Sequence, residues 1–461
     1  MNILDYFLDI TRIPRPSGKE DKIAKYLCDF AIKHNFEYNI DKLYNVIIKA
    51  NNGSDKTVIL QAHTDMVCVS DDNNFDFDNQ ALQTSISDDY IYAHNTSLGA
   101  DDGYGVCEIL YILDNMQPYY PNIEAVFTTQ EETGMYGAQG LDCSSLKGNV
   151  LINLDGTSFQ DIIQSCASGC FLEYTKNISS APYTLKQNEL VYSFSVNNLL
   201  SGHSGECIHL HRANALKVCA KFLRQLNDVK IINFDGGEKD NVIPQSCVVT
   251  FVSQEISPKV VDDFKAQFAL DYPNETFAEL SLTKHTEKQA QIIQDDFLLF
   301  IVDFKDGLLQ TNENNQPISS INLATIRIDD NKITMRAMLR NNSQDLDNQR
   351  QKEYMDFAYK YGFTPQITHF APSFTNENNA KLIDICKNAY YKLFNSNATI
   401  VDIHAGLEGG VFAQKINGLQ AVTLACNVDD IHTTKEKLQI SSLQNLFKLL
   451  DEILININKL D

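Results

Sequence analysis

Short apolar, β-branched runs recur through the first third of the chain, at residues 46–48, 58–60, 123–127 and 150–154. A continuous apolar run bounded by polar residues predicts a strand covered on both faces. Helical periodicity lies between the runs. Ile23, Leu27, Phe30 and Ala31 are spaced three and four apart, and a second helix is predicted over 103–113. Ser17 followed by Glu20, just after Pro14 and Pro16, has the form of a capping box opening the first of these helices. Strands alternating with helices predict an α/β layer on a largely parallel sheet.

The pattern changes after Asp155. Residues 171–370 hold further strand-like runs (190–196 and 247–252), one long amphipathic helix (215–226), and turn signals at Asp235-Gly236-Gly237 and Gln316-Pro317. This predicts an inserted α+β segment. From about residue 374 the pattern returns to helix (380–394), strand (421–426) and a Leu- and Ile-rich final helix (443–457). No repeat or low-complexity linker marks a boundary, so two domains are expected from the length of 461 residues and from the change of pattern.

Composition narrows the class. With 43% hydrophobic and 21% charged residues the chain reads as a folded enzyme-like protein and not a disordered one. A net charge of −22 argues against nucleic acid or an anionic membrane as partner, because phosphates are repelled at long range. It suits cationic solutes or simple solubility. No basic start followed by an apolar run and a small-residue cleavage site is visible at the N-terminus, and no stretch reaches the roughly 18 apolar residues of a membrane helix. Eleven scattered cysteines read as reduced thiols of a cytoplasmic protein. Cys166 and Cys170 are close enough to suggest a metal or redox pair, but no second pair completes a site, and packed thiols are the simpler reading.

Carboxylates and histidines stand where apolar runs end. His63 and Asp65 follow the run at 58–60; two apart on extended chain, they face one side. Asp101 lies in a glycine-flanked loop that opens a helix, Glu131 and Glu132 follow the run at 123–127, Asp155 the run at 150–154, and His432 the late strand. Taken singly, each has a plain structural reading. A loop Asp is commonly a cap, paired Glu residues favour a helix N-terminus, and a lone His belongs to the surface. Jointly they mean more, because residues beyond the carboxyl ends of strands in an open α/β sheet converge on one crevice. Two histidines and three carboxylates, one of them bridging, can hold two cations. A further carboxylate beside a metal-bound water is a proton acceptor, and a histidine ligand is commonly held by a nearby carboxylate.

At these residues the chain resembles the aminoacyl-histidine dipeptidases (Xaa-His dipeptidases), in the two-zinc peptidase superfamily of carboxypeptidase G and the carnosinases. The matching stretches are IPRPSGKE, QAHTDMV, SLGADDGYG, TTQEETGMYGAQGL, LINLDG, SGHSGECIH, FDGGEKDNVIP, SSINLATI, HAGLEGG and IHTTKEKL, in order from residue 13 to residue 438. The resemblance implies a catalytic α/β domain of residues 1–166 and 374–461, with a mostly parallel central sheet flanked by helices. An inserted α+β lid and dimerisation domain would span 167–373. It gives His63, Asp101 and Asp155 to one metal, and Asp101, Glu132 and His432 to the other, with Asp101 as the bridge. Zinc is the expected ion, with manganese and cobalt as alternatives. Asp65 corresponds to the carboxylate behind a ligand histidine, and Glu131 to the general base. His203 matches the histidine that stabilises the oxyanion, supplied in dimeric relatives by the other subunit. Asn241, Arg340 and, with the glycines of HAGLEGG, His404 match the substrate pocket; the Arg340 fork suits a terminal carboxylate.

The expected activity is hydrolysis of short unblocked peptides, with Xaa-His dipeptides foremost. A tripeptidase, an N-acyl-amino-acid hydrolase or a non-catalytic metal- or peptide-binding protein are the alternatives. The chain departs from the family after His432, where Ser-Pro-Asp-Glu is usual and Thr433, Thr434, Lys435 and Glu436 follow, and in Asp102, commonly Asn. It has no tryptophan, and Phe374 stands near the position of one expected at the end of the lid. These changes leave the metal set intact and the side-chain preference of the pocket open.

Overall fold

A computed structural model describes residues 2–329, 331–375 and 379–458. The chain divides into two compact units, one of Met1–Cys166 with Ala371–Asp461, the other of Ala167–Phe370. Residues 371–373, which the resemblance assigned to the insert, fall in the first unit, and Ala371 packs in its core.

The first unit is built on an eight-stranded sheet in the order Glu37–Ile40, Val46–Ala50, Asn122–Thr128, Thr57–His63, Val150–Asn153, Gln420–Thr423, Asp161–Cys166, Thr399–Ile403. Its centre is parallel: Thr57–His63 pairs in parallel with both Asn122–Thr128 and Val150–Asn153, which in turn pairs in parallel with Gln420–Thr423. The edge made by Glu37–Ile40 and Val46–Ala50 is antiparallel. The apolar runs are continuous because both faces are covered. Ile48, Val58, Leu60, Ala125 and Ile152 pack with helices Ile3–Thr11, Asp21–His34, Ala100–Asp114 and Ile440–Ile457, whereas Ile47, Ile59, Val126 and Leu151 pack under Val411 and Phe412 of Glu408–Lys415. A small separate sheet joins Val428–Asp429, Lys437–Gln439, Tyr90–Ala93 and Thr84–Ser87. Its hairpin carries residues 430–436, so His432 sits in that loop and not directly behind the late sheet strand, which ends at Thr423.

Several local expectations change. Ser17 and Glu20 do not form a capping box. The Ser17 hydroxyl donates to Asp65 at 2.7 Å, and Glu20 accepts from the N–H groups of Gly18 and Gln130 at 2.8 and 3.0 Å. The capping box lies earlier, where Asn2 and Asp5 cap a further helix, Ile3–Thr11. Cys166 and Cys170 are buried, and burial pushes the Cys166 thiol up to about 11, the environment of packed thiols and not of thiolate ligands.

The second unit holds a nine-stranded sheet from Gly169–Asn177 to Thr364–Ala371, with antiparallel ladders such as Glu189–Asn197 on Cys247–Gln254 and Pro317–Asp329 on Lys332–Asn341. The sheet packs on Ala215–Arg224, whose Leu216, Cys219, Phe222 and Leu223 are buried. Two further helices, Pro258–Asp271 and Gln344–Lys360, were not predicted; the first buries only Phe264 and Phe268, the second only Asp347, Tyr354 and Ala358. The Asp235-Gly236-Gly237 signal marks a strand end: Lys230–Gly236 is extended, and Gly237 then takes φ +83°, where a Cβ would lie 1.9 Å from the Ala324 carbonyl oxygen.

Among the described residues no helix is long and apolar enough to cross a membrane. In the first unit, Leu450 lies fully buried on the final helix. Leu450→Ala is expected to remove about 2–5 kcal/mol of stability, read as a lower urea midpoint. A loss below about 1 kcal/mol would mean that the core closes over the gap.

Candidate active site

His63 ends the strand Thr57–His63, and the chain turns there so that Asp65 comes back beside it, with the Asp65 carboxylate 3.4 Å from His63 Nδ1. Asp65 is wholly buried and does more than hold the imidazole. It also accepts from the backbone N–H groups of Glu131 and Glu132, at 3.0 and 3.3 Å. One carboxylate therefore fixes both the histidine and the turn after Asn122–Thr128, and that turn is closed by the N–H groups of Gly134 and Met135 on the Glu131 carbonyl. The other ring nitrogen of His63 lies 3.1 Å from Asp101 Oδ1.

Asp101 stands at the start of Ala100–Asp114, where the backbone departs from helical angles at Asp101 and Asp102. Its second oxygen, Oδ2, lies 3.3 Å from His432 Nε2, which is also 2.9 Å from Glu132 Oε1. The Asp101 carboxylate thus divides its two oxygens between two histidines. His63, Asp101 and Glu132 each offer a ligand atom within 4.8 Å of the others, a grouping that could hold a metal ion. Asp155 lies two residues beyond the strand Val150–Asn153. Its carboxyl is pushed up to about 7, first by burial and then by the Asp101 and Glu132 charges, so it stands within the field of the same cluster. Four of the five expected ligands are joined by direct pairings, and the fifth is coupled to them through its charge.

The crowding sets the protonation pattern. Burial opposes charge on His63, but its bonds to Asp101 and Asp65 outweigh this and hold its pKa well above the ordinary value. For His432 burial is likewise outweighed by Asp101 and Glu132, giving about 10. Burial raises the Glu131 carboxyl well above the carboxylate range; His63 pulls it down, and Glu132 and Asp155 add to the rise. Without another cation, protons on the histidines balance the carboxylates.

The sequence profile of peptidase family M20/M25/M40 matches residues 59–456. The chain belongs to this peptidase family. It is accordingly a hydrolase of peptide bonds. It is 27% identical to the cytosol non-specific dipeptidase of Escherichia coli (strain K12), over 98% of this chain and 96% of that one. Its fold matches the crystal structure of aminoacylhistidine dipeptidase from Vibrio alginolyticus with a TM-score of 0.82, at 25% identity over 98% and 96% of the two chains. A tripeptidase from Staphylococcus aureus has the same fold at a TM-score of 0.54 and 16% identity, over 99% and 98%.

Other residues singled out in this M20 peptidase fall in two places. His203 and Arg340 meet within the second unit, with Arg340 Nη2 3.1 Å from His203 Nε2. Burial lowers the Arg340 pKa to about 10, partly offset by Glu206. Arg340 Nε, the Ser204 hydroxyl and Asn322 Oδ1 in the same unit are buried with no hydrogen-bond partner among the described residues. Asn241 is exposed, and its carbonyl accepts from the Ser204 N–H at 2.9 Å. His404 lies in the first unit, just after the strand Thr399–Ile403.

Three charged residues received no role from sequence: Arg15, Glu408 and Glu436, although IPRPSGKE, HAGLEGG and IHTTKEKL contain them. Only their burial distinguishes them. Glu408 Oε2 accepts from Gln61 Nε2 and Thr128 Oγ1, each at 2.6 Å, and Gln61 in turn accepts from Asn153 at 2.6 Å. A single carboxyl thereby ties together the three strands whose ends carry His63, the Glu131 turn and Asp155.

Burial raises the Glu408 pKa from 4.5 to about 8. The folded state then binds the proton more tightly than the unfolded chain, so this group's contribution is complete below about pH 4.5 and is lost as pH rises through about 8. Glu408→Gln should free the metal-free protein of that loss. Its melting temperature relative to the unchanged protein is expected to rise progressively from pH 5 to pH 8. A pH-independent difference would remove the buried acid from this account.

Proposed function

We propose that the chain is a cytoplasmic two-metal dipeptidase, acting on short peptides with a free amino group and taking Xaa-His dipeptides among them. The observation that carries the reading is the division of the Asp101 carboxylate between His63, at 3.1 Å, and His432, at 3.3 Å, with Glu132 2.9 Å from His432. Donor atoms roughly 3 Å apart are what bonds of about 2.0–2.2 Å to a shared cation require. The donors are imidazole and carboxylate, a set that fits zinc, with manganese or cobalt as alternatives. In this assignment His63, Asp101 and Asp155 hold one ion, and Asp101, Glu132 and His432 the other. Cations held there supply Lewis acidity, acidifying a water and polarising the scissile carbonyl.

The remaining chemistry belongs to the chain. Asp65 keeps His63 in one orientation. Glu131 accepts the proton of the attacking water and returns it to the leaving amine. Burial makes the Arg340 fork a strong partner for the peptide's terminal carboxylate, and Arg340 Nε has a hydrogen bond still to give. His203 is assigned to the oxyanion, and Asn241 and His404 to substrate. The dipeptidase reading draws on the 27% identity to the cytosol non-specific dipeptidase across nearly both chains, and the cytoplasmic one on that relative and on the unpaired cysteines. Dimerisation through the inserted unit is expected from the resemblance to dimeric relatives.

Metal-stripped protein, with zinc, manganese or cobalt restored in turn, should cleave Xaa-His dipeptides in preference to a tripeptide or an acetylated amino acid. Preference for either of the latter would move the chain to another branch of the superfamily, and tight binding without cleavage would make it a binding protein. Glu131→Gln is expected to lower turnover at least about a hundredfold while both ions remain bound by elemental analysis. Near-normal turnover would take the proton transfer away from Glu131.

A further inference from the structure

Two buried ions with no part in the chemistry above meet on the loop that carries Asp101. Glu436 is 2% exposed, and both of its oxygens are used twice. Oε2 accepts from the backbone N–H groups of Leu98 and Gly99 at 2.8 and 3.0 Å, and Oε1 from Ala100 and Asp101 at 2.8 and 3.3 Å. Arg15 is 1% exposed. Its Nη1 donates to the carbonyls of Thr64 and Asp65 at 3.0 and 2.9 Å, and its Nη2 to the carbonyl of Gly99.

Gly99 is therefore gripped on both sides, its N–H by a carboxylate and its carbonyl by a guanidinium. It takes φ +64°, and a Cβ there would lie 2.5 Å from Arg15 Nη2 and 2.8 Å from Met66 Sδ. Removing a guanidinium and a carboxylate from water is costly, and well-packed apolar side chains would stabilise a core at least as well. Their use here goes to placing backbone. The segment that brings His432 also brings Glu436, four residues on, to the Asp101 loop. Arg15 ties that loop to the two residues that follow His63.

We infer that Arg15 and Glu436 are positioning residues, a clamp that sets the Asp101 carboxylate so that each oxygen faces a different ion. The inference rests on the two-metal reading and extends it to two side chains that touch neither ion. A bridging carboxylate tolerates displacement of only about 0.5 Å before one of its bonds suffers. A loop held by five hydrogen bonds from two buried charges, and tied by two more from Arg15 to the residues after His63, meets that demand.

The test is a zinc titration of the full chain against a chromophoric chelator, with elemental analysis and thermal melting alongside. In Glu436→Gln an NH2 group replaces an acceptor oxygen and confronts backbone N–H donors. In Arg15→Lys the fork that reaches three carbonyls is lost. Each is expected to weaken the looser of the two zinc ions about tenfold to a hundredfold while a cooperative melt is kept. Glu124→Gln is the control, because Glu124 is another buried carboxylate and accepts from the N–H groups of Lys147 and Gly148 at 2.8 and 3.0 Å, away from the ligands. It should lower the melting temperature and leave zinc affinity unchanged.

Folded Glu436→Gln and Arg15→Lys proteins that bind zinc as the unchanged chain does would overturn the clamp, as would an equal loss of affinity in Glu124→Gln. If Glu436→Gln does not melt cooperatively, Arg15→Lys decides by the same titration. Failure of both to fold would also refute a role confined to Asp101. An unchanged chain that binds no pair of ions would instead sink the two-metal reading.

Discussion

Like charges held together out of water govern this structure. Asp101, Glu131, Glu132 and Asp155 lie within one another's fields in a buried place, where two carboxylates cannot both stay charged without nearby positive charge. In the metal-free chain the positive charge is protons on His63 and His432, both held well above the usual histidine range. Divalent cations would do the same work more strongly, and their arrival would release those protons. A crowded carboxylate cluster is a poor way to stabilise a protein and a good way to select for a cation.

The fold manages that repulsion by over-determining every backbone segment that enters the cluster. Asp65 accepts from Ser17 and from both Glu131 and Glu132 while facing His63. Glu408 binds Gln61 and Thr128 beneath them, and Glu436 takes four N–H groups of the Asp101 loop. These carboxyl groups hold the ones that would meet ions, and the parallel sheet supplies the common edge on which they assemble. The chain is a member of the M20/M25/M40 peptidases, hydrolases of peptide bonds.

The second unit works on different principles. Its antiparallel sheet has its own aromatic core, and Phe194 stacks on Phe222 with centroids 3.9 Å apart. The polar residues it buries include several with bonding capacity unspent, Arg340 Nε and Asn322 Oδ1 among them. A buried donor left open is costly unless something outside the described residues meets it.

Much of the design was legible without coordinates. Apolar runs covered on both sides betrayed the parallel strands, and His63, Asp101, Glu132, Asp155 and His432 stood out as candidates because histidines and carboxylates follow the ends of those runs. The discontinuous first unit was visible as a pattern that stops and returns. Polar helices such as Gln344–Lys360 were not, because so few of their side chains are buried that no period emerges. Nor could sequence say that Ser17 serves Asp65 instead of a helix cap, since two bonding partners 48 residues apart leave no local trace. The roles of Arg15, Glu408 and Glu436 were decided by tertiary structure alone. A charged residue looks the same in sequence whether water or a backbone loop surrounds it, and only folding determines which.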